Sequence, residues 1–184
     1  MVIFMYKERK RMKKFILINS IIIFLFGFIT HNLYEWAPSF LTMIFPVNES
    51  LYEHLKMIYI TPLIVGVVEY FIFYNKKEKY SNYFFSLYIS IMANILVFFA
   101  IYLPIYYRFG ENMIVTLSVY FISIIISQII NYMIMDKTKN NYLLNILGII
   151  MILSNYVILL YFTYNPLKID FFFDSNNEVY GIYK

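Results

Sequence analysis

Hydrophobic positions in this chain run in long blocks separated by short polar breaks. Five blocks, at 15–33, 57–74, 83–103, 113–135 and 142–164, are apolar and long enough to cross a hydrocarbon core, which takes about 20 residues of helix. Helix is the form expected of them, because backbone groups that face lipid find partners only inside their own segment. No internal repeat or low-complexity linker breaks the series. The pattern predicts an all-α, polytopic transmembrane helical bundle, one domain over residues 1–184, with a polar segment at 31–56 and a tail at 165–184.

Charge adds an orientation. Lys7, Arg9, Lys10, Arg11, Lys13 and Lys14 precede the first block; Lys76, Lys77 and Lys79 follow the second; Lys137 and Lys139 follow the fourth. With five spans all of these fall on one side, and only Lys56, Arg108, Lys168 and Lys184 fall on the other. Basic residues collect on the cytoplasmic side of membrane proteins, so the N-terminus is expected inside and the C-terminus outside. Glu8, Glu78 and Asp136 go with the basic side. Glu35, Glu49, Glu53, Glu111, Asp170, Asp174 and Glu178 go with the other, where an acidic face would attract cations. No small-x-small cleavage site follows the first block, so it reads as an uncleaved anchor.

Composition agrees with a bilayer as solvent. The chain is 61% hydrophobic, 22% aromatic and 14% charged, whereas soluble domains carry about a quarter charged residues. Its formal charge of +4 is accounted for by topology, so no nucleic-acid partner is inferred. The absence of cysteine excludes disulfides, thiolate zinc sites and a cysteine nucleophile. Lysine greatly outnumbers arginine, and Ile, Asn, Tyr and Phe are abundant. An AT-rich coding sequence gives that bias, and the aromatics need no functional explanation.

Candidate chemistry gathers between the first two spans. His31 and Glu35 are four apart at the end of the first helix and share a face if the helix continues that far. Trp36 suits the headgroup level, and Pro38 stops the helix. Residues 40–45 are apolar but too few to span, so a loop lying in the interface or dipping into it is expected, ended by Pro46. Ser50-Leu51-Tyr52-Glu53 has capping-box spacing, which by itself explains Ser50 and Glu53 as the start of a helix. Asn48 is the alternative cap. Glu49, His54 and Lys56 are not explained by capping. Placed on one helix, Glu49 and Glu53 would be i and i+4 with Lys56 a turn later, and two carboxylates so close call for a cation or a proton. His31, Glu35, Glu49, Glu53 and His54 together make a nitrogen-and-oxygen ligand set for a borderline divalent metal. Glu49, Glu53, His54 and Lys56 are the catalytic candidates, for proton transfer, and Lys56 with the two histidines is the set that could grip a phosphate headgroup.

Polar residues inside the spans are fewer. Glu69 sits deep in the second span, and a carboxylate there defaults to a functional reading. The competing explanation is a side chain that reaches the nearby basic interface. Pro62 should kink that helix. Gln128 and Asn131, three apart in the fourth span, share a face, and Asn94, Ser123, Ser127, Ser154 and Asn155 accompany them. Interhelical hydrogen bonding explains such groups, with a polar path through the bundle as the second reading. In the tail, Asp174-Ser175-Asn176-Asn177-Glu178 lacks the glycine and final glutamate of a calcium loop. The Phe171–Phe173 triplet wants cover, and is expected to fold back over the segment from Glu49 to His54.

With these residues in place, the chain resembles a family of small bacterial integral membrane proteins known as a domain of unknown function. The resemblance rests on His-x-x-Tyr-Glu-Trp at 31–36 and on Pro-Val-Asn-Glu-Ser-x-x-Glu-His-x-Lys at 46–56. Pro62 and Glu69 belong to it, as does the tail from Phe162-Thr163-Tyr164 through Pro166 and Asp174 to Tyr180-Gly181-Ile182. Ala37-Pro38 departs from the small or polar residues of the pattern. The resemblance implies a location in the bacterial plasma membrane and a shared site, and carries no activity with it.

Three readings stay open. The first is a multi-pass protein whose outward-facing Glu/His/Lys site binds a cation or a polar lipid headgroup, with catalysis left undecided. The second is a small transporter or proton-coupled permease using Glu69, Gln128 and Asn131. Its five spans without a repeat argue against it, although a homo-oligomer would restore the symmetry. The third is a non-catalytic assembly partner.

Overall fold

The structure is a computed structural model that describes residues 2–36, 39–75, 81–137 and 139–182, with side chains described for these except 2–11, 34–36, 39–40, 73–75 and 136–137. Five long helices account for most of it: α1 (Val2–Trp36), α2 (Leu51–Asn75), α3 (Tyr83–Phe109), α4 (Met113–Lys137) and α5 (Tyr142–Tyr164). A 3-10 turn (Ser39–Met43) follows α1. After α5 come a second such turn (Asp170–Phe172) and a short antiparallel hairpin of β1 (Phe173–Asp174) and β2 (Val179–Tyr180). Each long helix contains a segment long and apolar enough to cross a bilayer: Met12–Leu33, Leu51–Ile72, Tyr83–Phe109, Met113–Met135 and Tyr142–Tyr164. This is the make-up of a multi-pass membrane protein.

Burial follows the logic of lipid as solvent. Leu17, Leu25, Phe71, Leu96, Leu153 and Val157 are exposed on the outside, while Asn19, Thr30, Thr61, Asn94, Ser123, Gln128 and Asn131 are buried between helices. Lipid tails are as apolar as leucine, so the helices are held by close packing and by hydrogen bonds between them. Thr30 and Thr61 pair at 2.7 Å across α1 and α2, and Ser123 Oγ donates to Asn94 Oδ1 at 2.7 Å across α4 and α3. Gly148 lets α5 approach α3 closely, since a Cβ there would meet the Phe85 nitrogen at 2.5 Å. Within this frame α3 packs on α4, α5 and α2, and α1 packs on α2 and α4.

The two ends of the bundle are stitched separately. At one end Asn82, in the left-handed conformation that asparagine tolerates (φ 51°), donates to the Lys139 carbonyl at 2.9 Å and accepts from the Asn141 amide at 2.7 Å. The α2–α3 and α4–α5 connections therefore lie together, at the end where α1 begins. At the other end Thr42 pairs with the Tyr164 hydroxyl at 2.9 Å, and the Tyr156 hydroxyl donates to the Met43 carbonyl at 3.1 Å. The α1–α2 connection and the C-terminal hairpin meet there.

Helix α2 begins at Leu51, at the start that the capping-box spacing marks, with Ser50 Oγ accepting the Glu53 amide at 3.3 Å. One expectation changes with it: Glu49 is off the helix and is not an i,i+4 helical neighbour of Glu53. Helix α3 continues beyond residue 103, passes Pro104 and ends at Phe109, where Gly110 at φ 77° closes it with its N–H on the Tyr106 carbonyl at 2.9 Å. In the connection before α2, Thr42, Phe45, Pro46 and Val47 are buried against the bundle, and the Thr42 carbonyl accepts from Lys56 at 2.8 Å. Helix α2 runs unbroken through Pro62. The side chains of Glu35 and Trp36, and residues Ala37 and Pro38, lie outside the described residues.

Candidate functional site

The motif at 46–56 divides into residues that build and residues that present. Asn48 Oδ1 accepts the Ser50 amide at 2.9 Å, turning the chain into the cap, and Asn48 Nδ2 donates to the Gly181 carbonyl at 2.7 Å. Glu53 does not close the capping box onto Ser50. Its carboxylate takes the Val47 amide at 3.2 Å, Lys56 Nζ at 3.2 Å and the Thr163 hydroxyl at 2.9 Å. Lys56 Nζ also donates to Thr163 Oγ1 at 3.2 Å. Glu53 is 1% and Lys56 0% exposed. Two ions so desolvated are tolerated only when each is paired and hydrogen-bonded, which is the case here. They pin the α1–α2 connection and α2 to the end of α5. Both were candidate site residues, Glu53 with helix capping as its alternative; in the structure they pair with each other, as an i,i+3 pair.

Glu49, released from that network, turns the other way. Its Oε2 lies 3.4 Å from His31 Nε2 and 3.6 Å from His54 Nε2, and the two ring nitrogens are 3.3 Å apart. Residues from the end of α1, from the turn before α2 and from the first turn of α2 thus place three ligand atoms within 4.8 Å of one another. His54 Nδ1 lies 2.9 Å from the Ser50 carbonyl, which can only accept. Nδ1 is therefore the donor, and Nε2 is the ring nitrogen that faces the cluster, as in a histidine whose other nitrogen is fixed by a carbonyl behind it. The hydrogen bond from His31 holds the Glu49 carboxyl below the usual glutamate range, with both imidazoles adding to it, against burial and the nearby Asp174.

The tail fixes Glu49 from behind. Asp174, 0% exposed, accepts the Glu49 amide at 3.2 Å through Oδ2, and its own turn through Asn176 N at 2.8 Å, Asn177 N at 3.3 Å and Asn177 Nδ2 at 2.9 Å. Burial raises the Asp174 carboxyl, but these four donors outweigh it and the net shift is downward. Phe172 is buried and stacks on Tyr52 at 4.3 Å between centroids, and Tyr52 donates to the Leu159 carbonyl at 2.7 Å. The phenylalanine triplet does fold back over the motif.

Two cavities meet at the cluster. The larger, about 380 Å³, is walled by apolar side chains of four helices, among them Phe24, Phe28, Met57, Ile58, Phe98 and Leu117, with His31, Glu49 and His54 at one part of its rim. The smaller, about 30 Å³, lies on the tail side between Glu49, His54, Glu111, Ser175 and Asn176, room for about one water. Glu111, in the α3–α4 connection, borders both. Tyr120 borders the larger one; it is buried and faces Thr61, yet its hydroxyl makes no regular hydrogen bond. Nothing in the sequence singled out Tyr120 among 20 tyrosines, Glu111 was one of several exposed acids, and Asp174 was read only within a rejected calcium loop.

The intramembrane groups lie elsewhere. Glu69 accepts from Asn19 Nδ2 at 2.7 Å and from the Tyr83 hydroxyl at 2.9 Å, towards the end where α1 begins. Asn131 Nδ2 donates weakly to Gln128 Oε1 at 3.5 Å on α4, and the side-chain oxygen Asn131 Oδ1 is unpaired. Among the described residues no hydrogen bond joins Glu69 to that pair.

Among the comparisons with known proteins, no curated protein and no solved structure matches the chain. A family model does, over residues 4–182. The chain belongs to the family of unknown function DUF6512.

Proposed function

We propose that this protein is a membrane metalloprotein that binds one divalent cation of the zinc class through His31, Glu49 and His54, with a fourth coordination position open to the cavities. The observation that carries the reading is the triangle of ligand atoms, with edges of 3.3, 3.4 and 3.6 Å. In a tetrahedral site each edge is about 1.63 bond lengths, so zinc bonds of about 2.0–2.2 Å require edges of about 3.3–3.6 Å. An octahedral site with the same bonds would need edges near 2.8–3.1 Å. Three protein ligands and one free position are the pattern of catalytic zinc, whereas structural sites are closed. The donor set is nitrogen and oxygen without sulfur, as a borderline metal accepts.

A metal held there supplies a Lewis acid that polarises an ester or phosphoryl oxygen, or lowers the pKa of a water. Glu49 and the two imidazoles orient the ligand sphere, the Ser50 carbonyl fixes the His54 tautomer, and Asp174 anchors the Glu49 backbone. The small polar recess has room for a water beside the site, with Glu111 in its lining as a proton acceptor. The reading is metal-assisted chemistry on the polar headgroup of a membrane lipid. The basic asymmetry supports an orientation with this end outside the bacterial plasma membrane.

Purified protein, stripped with chelator and titrated with zinc, should take up one equivalent. His31→Ala, Glu49→Gln and His54→Ala should each weaken uptake by more than about 100-fold, beyond the 10–100-fold typical of outer-sphere changes. Undiminished zinc binding by the Glu49→Gln, His54→Ala double variant would overturn the assignment.

A further inference from the structure

The larger cavity has a second neighbour. On the outer side of the bundle, between α1 and α4, a groove of about 340 Å³ is lined by Ile21, Phe24, Leu25, Leu117, Ser118 and Phe121. Phe24 and Leu117 belong to both its lining and that of the cavity. Ile21 and Leu25 are 41% and 58% exposed, so the groove opens sideways, at the depth of the spanning segments Met12–Leu33 and Met113–Met135. Phe24 and Leu117 stand between hydrocarbon outside and an apolar chamber inside. The chamber leads to three ligand atoms arranged for a cation. A water-soluble substrate would meet almost nothing but carbon on such a route.

We infer that the substrate is a lipid with an anionic oxygen headgroup, which enters laterally between α1 and α4 and seats one hydrocarbon chain in the cavity with its head at His31, Glu49 and His54. The inference rests on the proposed metal site for the head, and on the cavity alone for the chain. The volume of about 380 Å³ holds about a dozen methylene- or water-sized groups, enough for most of one acyl chain and too little for two. A dry apolar chamber of less than half this size is already known to take up apolar ligands. Gly27 keeps the chamber open beside Tyr120, because a Cβ at Gly27 would lie 3.1 Å from the Tyr120 ring and hydroxyl. The Tyr120 hydroxyl offers a donor to an ester oxygen of the bound lipid.

The test uses full-length, zinc-loaded protein in lipid nanodiscs containing phosphatidylglycerol with a photoactivatable diazirine near the end of one chain. After illumination, adducts should map to Phe24, Met57, Leu117 and Tyr120. Leu117→Trp, which fills the passage, and Gly27→Leu, which narrows the chamber, should each reduce these adducts by about tenfold, the equivalent of excluding about two methylenes. Zinc stoichiometry, unchanged in at least one of the two, shows that the fold persists. Unlabelled phosphatidylglycerol should compete, and sn-glycerol 3-phosphate in the same molar range should not.

Adducts confined to outward faces, such as Leu153 and Val157 of α5, would overturn the inference. So would cavity adducts indifferent to both variants, or equal competition by the soluble headgroup. Cavity labelling without zinc binding would instead remove the metal reading and leave the chain's seat standing.

Discussion

Glu49 and Glu53 carry the same chemistry four positions apart, yet the structure gives them opposite tasks. The difference is one residue of helix onset. Ser50 caps α2, so Glu53 lies on the helix beside Lys56, while Glu49 stays on the turn and reaches the histidines. Capping-box spacing was legible, and it marked the helix start correctly. It did not reveal that the Glu53 carboxylate would prefer a buried ammonium to the Ser50 amide, because that choice depends on Thr42, Val47 and Thr163 arriving from distant parts of the chain. A clear consequence follows for stability. Glu53→Gln or Lys56→Met alone leaves one uncompensated buried ion and should cost about 3–5 kcal/mol. The double variant should recover much of that loss, measured as thermal unfolding midpoints in detergent. Additive losses would mean that the two ions are not a pair.

At the level of elements, the C-terminal hairpin behaves as a clasp on the motif. Its folding back was foreseen from the exposed phenylalanine triplet; the clasping residue was not, because Asp174 acts through the backbone of Glu49 and not through a motif of its own. Gly181 completes the clasp at φ 71°, with room for no Cβ, since one would sit 2.9 Å from Pro166. The Asp174 carboxyl is held below its ordinary value. Its contribution is therefore fully present above the ordinary aspartate range and is lost only as pH falls through the lowered value. Hydrogen exchange of the 174–181 segment, corrected for intrinsic rates, should show protection that holds through neutral and mildly acidic pH and fails below the aspartate range. Asp174→Asn should reproduce that loss at neutral pH, at a cost of about 1–3 kcal/mol for a buried acceptor turned donor. Protection unaffected by this variant would show that the aromatic stack alone holds the tail.

For the whole molecule, five apolar blocks sufficed to predict five helices, since a bilayer leaves the backbone little alternative. What the blocks could not show was the packing order, because lipid-facing and helix-facing apolar residues have the same composition. The meeting of His31 with His54 needed α1 and α2 to pack side by side, a pairing marked by the Thr30–Thr61 and Asn19–Glu69 contacts. Orientation is open to direct measurement because the chain has no cysteine. Single cysteines at Asn177 and at Lys139 occupy opposite ends of the bundle. With the site outside, an impermeant maleimide applied to intact cells should label the first and spare the second; the reverse pattern would put the site in the cytoplasm.

A three-ligand metal centre with one open position is read out by zinc X-ray absorption of the purified, zinc-loaded protein. Four light-atom neighbours are expected at about 2.0–2.1 Å, with outer-shell scattering from two imidazoles that falls to one in His31→Ala. A six-coordinate, oxygen-only shell without imidazole scattering would contradict it.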